Sequence, residues 1–174
     1  MDDADRLFRT YHAPLVRYLT RRLGDRDWAE EIAQETFLRA LRQSAASLTN
    51  ERSWLFAVAT NLIRDEARKD ARRRRHLQLL ADEMRDAAAP APDSALERAH
   101  EQALARKSLD ALAERDRNAL LMREEGLDYT EIADALSISV GSVGTTLARA
   151  RKRLVEAFEA QQRASEGEAR DGTR

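Results

Sequence analysis

The stretch from Asp128 to Leu154, DYTEIADALSISVGSVGTTLARARKRL, leaves this chain the fewest choices of fold. It reads as two helices joined by a tight turn. The first spans Tyr129 to Leu136. Asp128 can cap it, and Glu131 stands three residues later at capping-box spacing. Ile132, Ala133 and Leu136 make one apolar stripe. Ser137-Ile138-Ser139 breaks the pattern; Ile138 is expected to plug the gap between the helices, and Ser139 to cap the second one. That second helix buries Val143, Leu147, Ala150 and Leu154. Its other face carries Ser142, Thr145, Thr146, Arg149, Lys152 and Arg153.

Such a pair fits a helix-turn-helix whose second helix enters a DNA major groove. Short hydroxyl side chains can approach base edges, and the guanidinium groups behind them can neutralise phosphates. Gly144 and Ala148 offer no functional group, so Arg149 is the first guanidinium on that face. An αα-hairpin with a solvated face is the bland alternative. Against it, Arg149, Arg151, Lys152 and Arg153 place four positive charges in five residues, with no acid before Glu156.

The rest of the chain is helical in character. Aromatic residues make up only 5%, glycine and proline together number nine (6 + 3), and no run of alternating β-branched residues occurs. An all-α fold is expected. With no cysteine, disulfides and thiolate metal sites are excluded, and His12, His76 and His100 lack metal-ligand spacing. No metal and no cofactor is expected. The apolar run from Trp54 to Ile63 is too short to span a membrane, and MDDADRL lacks the features of a signal peptide. A soluble cytoplasmic protein without membrane insertion is the expectation.

Residues 3 to 23 place Leu7, Phe8, Tyr11, Leu15, Tyr18, Leu19 and Leu23 near helical spacing, and Pro14 should kink that helix or start a second. Gly24 ends it, and Asp25-Arg26-Asp27 reads as a turn. From 28 to 42, Trp28, Ile32, Ala33, Thr36, Phe37 and Leu41 share one face, with Glu30, Glu31, Gln34, Glu35 and Leu38 largely outside it. Between Asp25 and Glu35 five acids face one arginine, a net of −4. Acids near a helix N-terminus favour its macrodipole, which accounts less well for Gln34 and Glu35; a docking face for a basic partner is the sharper reading.

QSAASLTN, 43 to 50, reads as a loop, and Asn50 can cap a helix running from Glu51 to about Arg75. Trp54, Leu55, Val58, Ala59, Leu62 and Ile63 supply its buried half. Beyond Ile63, seven positive charges (Arg64, Arg68, Lys69 and Arg72 to Arg75) meet three acids, a net of +4. Clustered arginine is the usual footprint of a phosphate backbone; a solvated helix end is the alternative. AAAPAP, 87 to 92, cannot continue a helix, and a domain boundary is placed there. The expected layout is a first domain over 1–75, a linker over 76–107, a helix-turn-helix domain over 108–162 and a disordered tail over 163–174. Short helices are possible in HLQLLADEM and SALERAHEQALARKSL, on either side of the prolines.

Two separated signals then point the same way. AEEIAQETFL (29–38), Trp54-Leu55-Phe56 and Ala59-Thr60-Asn61 with the basic helix end resemble regions 2.2 to 2.4 of bacterial RNA polymerase sigma factors of the extracytoplasmic-function (ECF) type. Glu131-Ile132-Ala133, Gly141-Ser142-Val143 and RARKRL (149–154) resemble region 4.2. The resemblance covers 5–75 and 106–160. It implies two small helical domains that grip the −10 and −35 elements of promoter DNA, and a chain with no catalysis of its own. By that match Glu31, Gln34 and Glu35 bind core RNA polymerase at the β′ clamp helices. Asn50, Trp54, Asn61, Arg64, Arg68 and Lys69 serve the −10 element, where the loop Ser44 to Asn50 captures a flipped base. Ser142, Thr145, Thr146, Arg149, Arg151, Lys152 and Arg153 serve the −35 element. Region 4 also touches the β flap, and the family commonly has an anti-sigma factor as partner. The competing function is a stand-alone helix-turn-helix regulator, which usually dimerises to read two half-sites.

Overall fold

The computed structural model describes residues 3–43, 49–77 and 93–171, with side chains described for 3–43, 49–70 and 95–167. Among the described residues there are seven helices and no strand: α1 (Asp3–Leu23), α2 (Arg26–Arg42), α3 (Glu51–Leu77), α4 (Asp93–Asp110), α5 (Glu114–Glu124), α6 (Tyr129–Leu136) and α7 (Val140–Asp171). The all-α expectation is met.

Helices α1 to α3 form one group. Leu7, Leu15, Val16, Tyr18 and Leu19 of α1 are buried against Ile32, Ala33 and Phe37 of α2 and Leu55, Phe56, Ala59, Leu62 and Ile63 of α3. Pro14 lies inside a single uninterrupted helix, so no second helix starts there. Its missing N–H leaves the Thr10 carbonyl without the usual donor one turn on. Arg26 and Asp27 belong to α2 rather than to a turn, because the Asp25 side chain caps the Trp28 N–H at 3.0 Å. On α2 the buried stripe shifts by one residue at its C-terminal end, while Trp28 at the other end packs half-buried on the core as expected. Ala29 and Ala40 are covered, while Leu41 is exposed. Asn50 caps α3 as expected, accepting from the Ser53 N–H at 3.1 Å.

Helices α4 to α7 form the second group. Asp93–Asp110 is helical and packs on α7, so the part of the expected linker from 93 to 107 belongs with this group. AAAPAP lies outside the described residues, as does HLQLLADEM from residue 78 onward. The Asp128–Glu131 capping box is complete: each side chain accepts the other residue's backbone N–H at 2.8 Å. Ser137 closes α6 in the left-handed region at φ 54°, and Ile138 packs against the core. Val143, Leu147 and Ala150 are fully buried. The tail expected to be disordered instead continues α7 to Asp171. Its alanines, glutamates and arginines are strong helix formers and need no core to prolong a helix already nucleated.

The two groups are packed together. One cluster of buried side chains runs from Leu7 and Phe56 through to Ile132 and Leu147, and α3 lies along α6.

Candidate polymerase and promoter interface

The acidic face lies on α2. Glu31 and Gln34 are exposed, and Glu35 is half-buried. Glu35 accepts from Arg39 one turn on, at 2.9 Å, and that hydrogen bond holds its carboxylate below the ordinary range. One acid of the face is thus already paired within its own helix, while Glu31 faces solvent. Beside them the exposed Leu38 and Leu41 add apolar area. An off-stripe surface with both charge and apolar contact suits a protein partner.

The basic face lies on α3. Asn61, Arg64, Arg68 and Lys69 are all exposed, one turn apart or adjacent, and the last three lie beyond the buried residues of the helix. Arg64 donates to Asn61 Oδ1 at 3.3 Å and to Glu114 of α5 at 3.1 Å. Arg68 stands 3.9 Å from Asp65, with both side chains largely in solvent, a pairing worth little. Trp54 and Asn50 line a cleft of about 400 Å³ with Gln43, Thr49, Ser53 and Ala57, and Asp134 of α6 closes one side. Residues 44–48 of the expected base-capturing loop, and the side chains of Arg72 to Arg75, lie outside the described residues.

The third face lies on α7. Ser142, Thr145, Arg149, Arg151, Lys152 and Arg153 are exposed. Thr146 is not: it is 4% exposed and sits on the core side, so the expected pair of adjacent threonines reduces to Thr145. The Ser139 hydroxyl is bonded to that of Ser142, one turn into the helix. Arg149 lays its guanidinium edge along Asp116 of α5, with Nε 2.8 Å from Oδ2. Asp116 is buried, and the Arg149 hydrogen bond holds its carboxyl below the ordinary value. The sequence carried a signal for this pair. Leu112, Asp116 and Ala119 fall at i, i+4 and i+7, and an acid on a buried stripe demands a cation. A Cβ on Gly144 would meet the Tyr129 ring at 3.6 Å, and Arg123 lies 5.8 Å over that ring.

Residues 7–73 match the model of Sigma-70 region 2, and residues 102–154 match that of Sigma-70, region 4. The chain is 33% identical over 146 residues to the ferric citrate uptake sigma factor FecI of Escherichia coli K12, covering 83% of this chain and 84% of that protein. The chain is an ECF sigma factor of the sigma-70 family. It is also 30% identical over 156 residues to the RNA polymerase sigma factor YlaC of Bacillus subtilis, covering 88% and 90%. In fold it is similar to the sigma factor RpoE of Bartonella quintana, solved in complex with the anti-sigma factor NepR. The TM-score is 0.69 at 21% identity, over 91% of this chain and 98% of that one.

As a sigma factor it directs transcription initiation, binds core RNA polymerase and DNA, and is not an enzyme. The stand-alone regulator reading gives way to the region 2 match, which covers α1 to α3, outside any helix-turn-helix. No helix among the described residues is long and apolar enough to cross a membrane.

Proposed function

We propose that this sigma factor works in the cytoplasm and divides promoter recognition among its three exposed faces. Glu31, Gln34 and Glu35 dock on the basic β′ clamp helices of core polymerase. Asn50, Trp54, Asn61, Arg64, Arg68 and Lys69 hold the −10 element. Ser142, Thr145, Arg149, Arg151, Lys152 and Arg153 engage the −35 element, with region 4 also resting on the β flap. An anti-sigma factor is the fitting inhibitor, in line with the complex in which the RpoE relative was solved.

The observation that carries this reading is the split character of α3. Within the region 2 match, Leu55, Phe56, Ala59, Leu62 and Ile63 anchor its first half in the core, while Asn61 stands exposed among them and Arg64, Arg68 and Lys69 stand exposed beyond them. A helix anchored at one end and cationic at the other can hold a phosphate backbone in fixed register.

The test is transcription by core polymerase loaded with this factor. A native promoter is compared with versions scrambled at −10 or at −35. Each scrambled element should lower initiation, and Glu31→Lys with Glu35→Lys should lower it by weakening assembly with core. Equal initiation from all three promoters would overturn the division of labour.

A further inference from the structure

One of the cations in RARKR, 149–153, stands apart from the rest. Arg151, Lys152 and Arg153 are exposed, and Lys152 lies 4.0 Å from Glu156 with both side chains in solvent. Among the described residues, Arg149 alone of these cations meets a buried acid. Its Nε lies 2.8 Å from Oδ2 of Asp116, and its Nη2 donates to Oδ1. Asp116 stands in the first turn of α5, where the helix dipole favours a negative charge. Helix α5 packs along α7. The carboxylate is therefore a fixed anchor, placed by one helix and kept ionised by an arginine of another.

A guanidinium carries five N–H donors in one rigid plane. Asp116 takes the Nε–H and one N–H of Nη2. Both donors of Nη1 and the outer donor of Nη2 remain, and they form the tip of the fork, on the side away from the carboxylate. An unrestrained arginine has ample rotamer freedom and bonds any acceptor in reach. A pinned one offers two parallel donors at a single place. Among base edges in a major groove, guanine sets two acceptors side by side, N7 and O6, whereas adenine pairs its N7 with a donor. The counter-charge of Asp116 also weakens the pull of Arg149 on a phosphate, because the pair is close to neutral as a unit. An uncharged base edge loses less by that neutralisation.

We propose that Asp116 is a positioning residue for −35 readout: it holds Arg149 side-on, so that the fork tip selects a guanine, and it keeps that arginine from serving as a general phosphate contact. Asp116 is too deeply buried to touch DNA itself. This role rests on the −35 assignment of α7 made above, and it adds to that face a residue from outside the recognition helix.

The test is holoenzyme binding to a native promoter and to each single-base-pair substitution of its −35 element, across a range of salt. Each variant is used at a temperature at which circular dichroism shows it folded. The wild type should lose about tenfold at one G·C pair. Asp116→Asn should level that pair alone. Its plot of log affinity against log salt should also steepen by up to about one, as a freed cation reaches a phosphate. Asp116→Glu keeps the charge but moves the carboxylate by one methylene, so it should retain the wild-type slope and still lose selectivity at that pair. In an Arg149→Ala background, Asp116→Asn should change neither quantity. A purely stabilising role for Asp116 would move none of these. If neither Asp116 variant folds, Arg149→Lys on the exposed face keeps the charge without the fork and should level the same pair; full selectivity in it overturns the role. Asp116→Asn with wild-type selectivity, or with an even loss at every −35 sequence, overturns the positioning and leaves the −35 assignment standing. A wild-type holoenzyme that binds a scrambled −35 element as well as the native one overturns that assignment, and the role of Asp116 with it.

Discussion

Arg149 and Asp116 form a side-on pair in which the acid is 1% exposed and the arginine side chain 45%. The pair ties the recognition helix α7 to α5. The Arg149 guanidinium is therefore neutralised on one edge, with its orientation fixed by a buried partner.

Asp116→Asn should lower stability by about 1.5–3 kcal/mol, the worth of a hydrogen bond to a charged group. Arg149 stays half in solvent and keeps its charge. The Asp116 carboxyl is held below its ordinary value of 3.8 by Arg149. Its contribution is therefore present above 3.8 and lost as pH falls through the lower native value. Denaturant unfolding from pH 6 to pH 3 should show a steeper loss in the wild type than in Asp116→Asn. Parallel curves would mean the pair adds nothing to stability.

The Tyr18 hydroxyl is fully buried and bonded to Thr60 at 2.8 Å. Burial pushes its pKa up to about 12. The neutral form is the one the core accepts. Stability from this site is complete below the ordinary value of 10 and is lost as pH rises through 12. At about 1.4 kcal/mol per unit, the loss approaches 3 kcal/mol. Urea midpoints at pH 9 and pH 11.5 should diverge for the wild type, and Tyr18→Phe should remove much of that divergence.

Arg68 and Lys69 are exposed and not held by any strong pair among the described residues. Replacing both with alanine should weaken promoter binding across sequences. The slope of log affinity against log salt should fall by roughly one for each phosphate left without its cation. A salt titration of holoenzyme on promoter DNA reads this directly. An unaltered slope would leave the two as a solvated helix end.

Gly144→Ala separates folding from recognition. The added methyl would sit 3.6 Å from Tyr129, an ordinary contact. Removing a glycine from a helix interior should stabilise by about 0.5–1 kcal/mol. If Gly144 lets the backbone approach the groove, the variant should be more stable yet weaker at the native −35 element. Thermal melts and −35 competition assays together give the answer. A gain in both would remove the close-approach role.

Much of this was legible because it is local. Capping by Asp128 and Asn50, the stops at Gly24 and Gly126, and the stripe Val143, Leu147 and Ala150 all follow from spacing alone. The misreadings arose where tertiary packing chooses between near-equal options. Leu41 and Ala40 are neighbours on α2, and only the position of α1 and α3 decides that the smaller one is buried. Thr146 lies at the edge of the α7 stripe, where a small side chain can turn inward. The contacts of Arg52 with the Gly126 and Glu125 carbonyls, and of Arg106 with that of Arg21, span residues far apart in sequence, and periodicity carries no trace of which arginine meets which helix end. In the tail, the lack of core residues does not entail a lack of helix, since residues 163 to 171 prolong α7.

That tail gives the recognition helix a long handle. At 32 residues, α7 extends about 48 Å, and Thr145 near one end shares a single axis with Gln162 far along it. Because the helix is continuous, a rotation of its distal half about that axis also turns the end that bears Thr145. A protein that gripped the distal half would therefore reorient Thr145 and Arg149 without touching either.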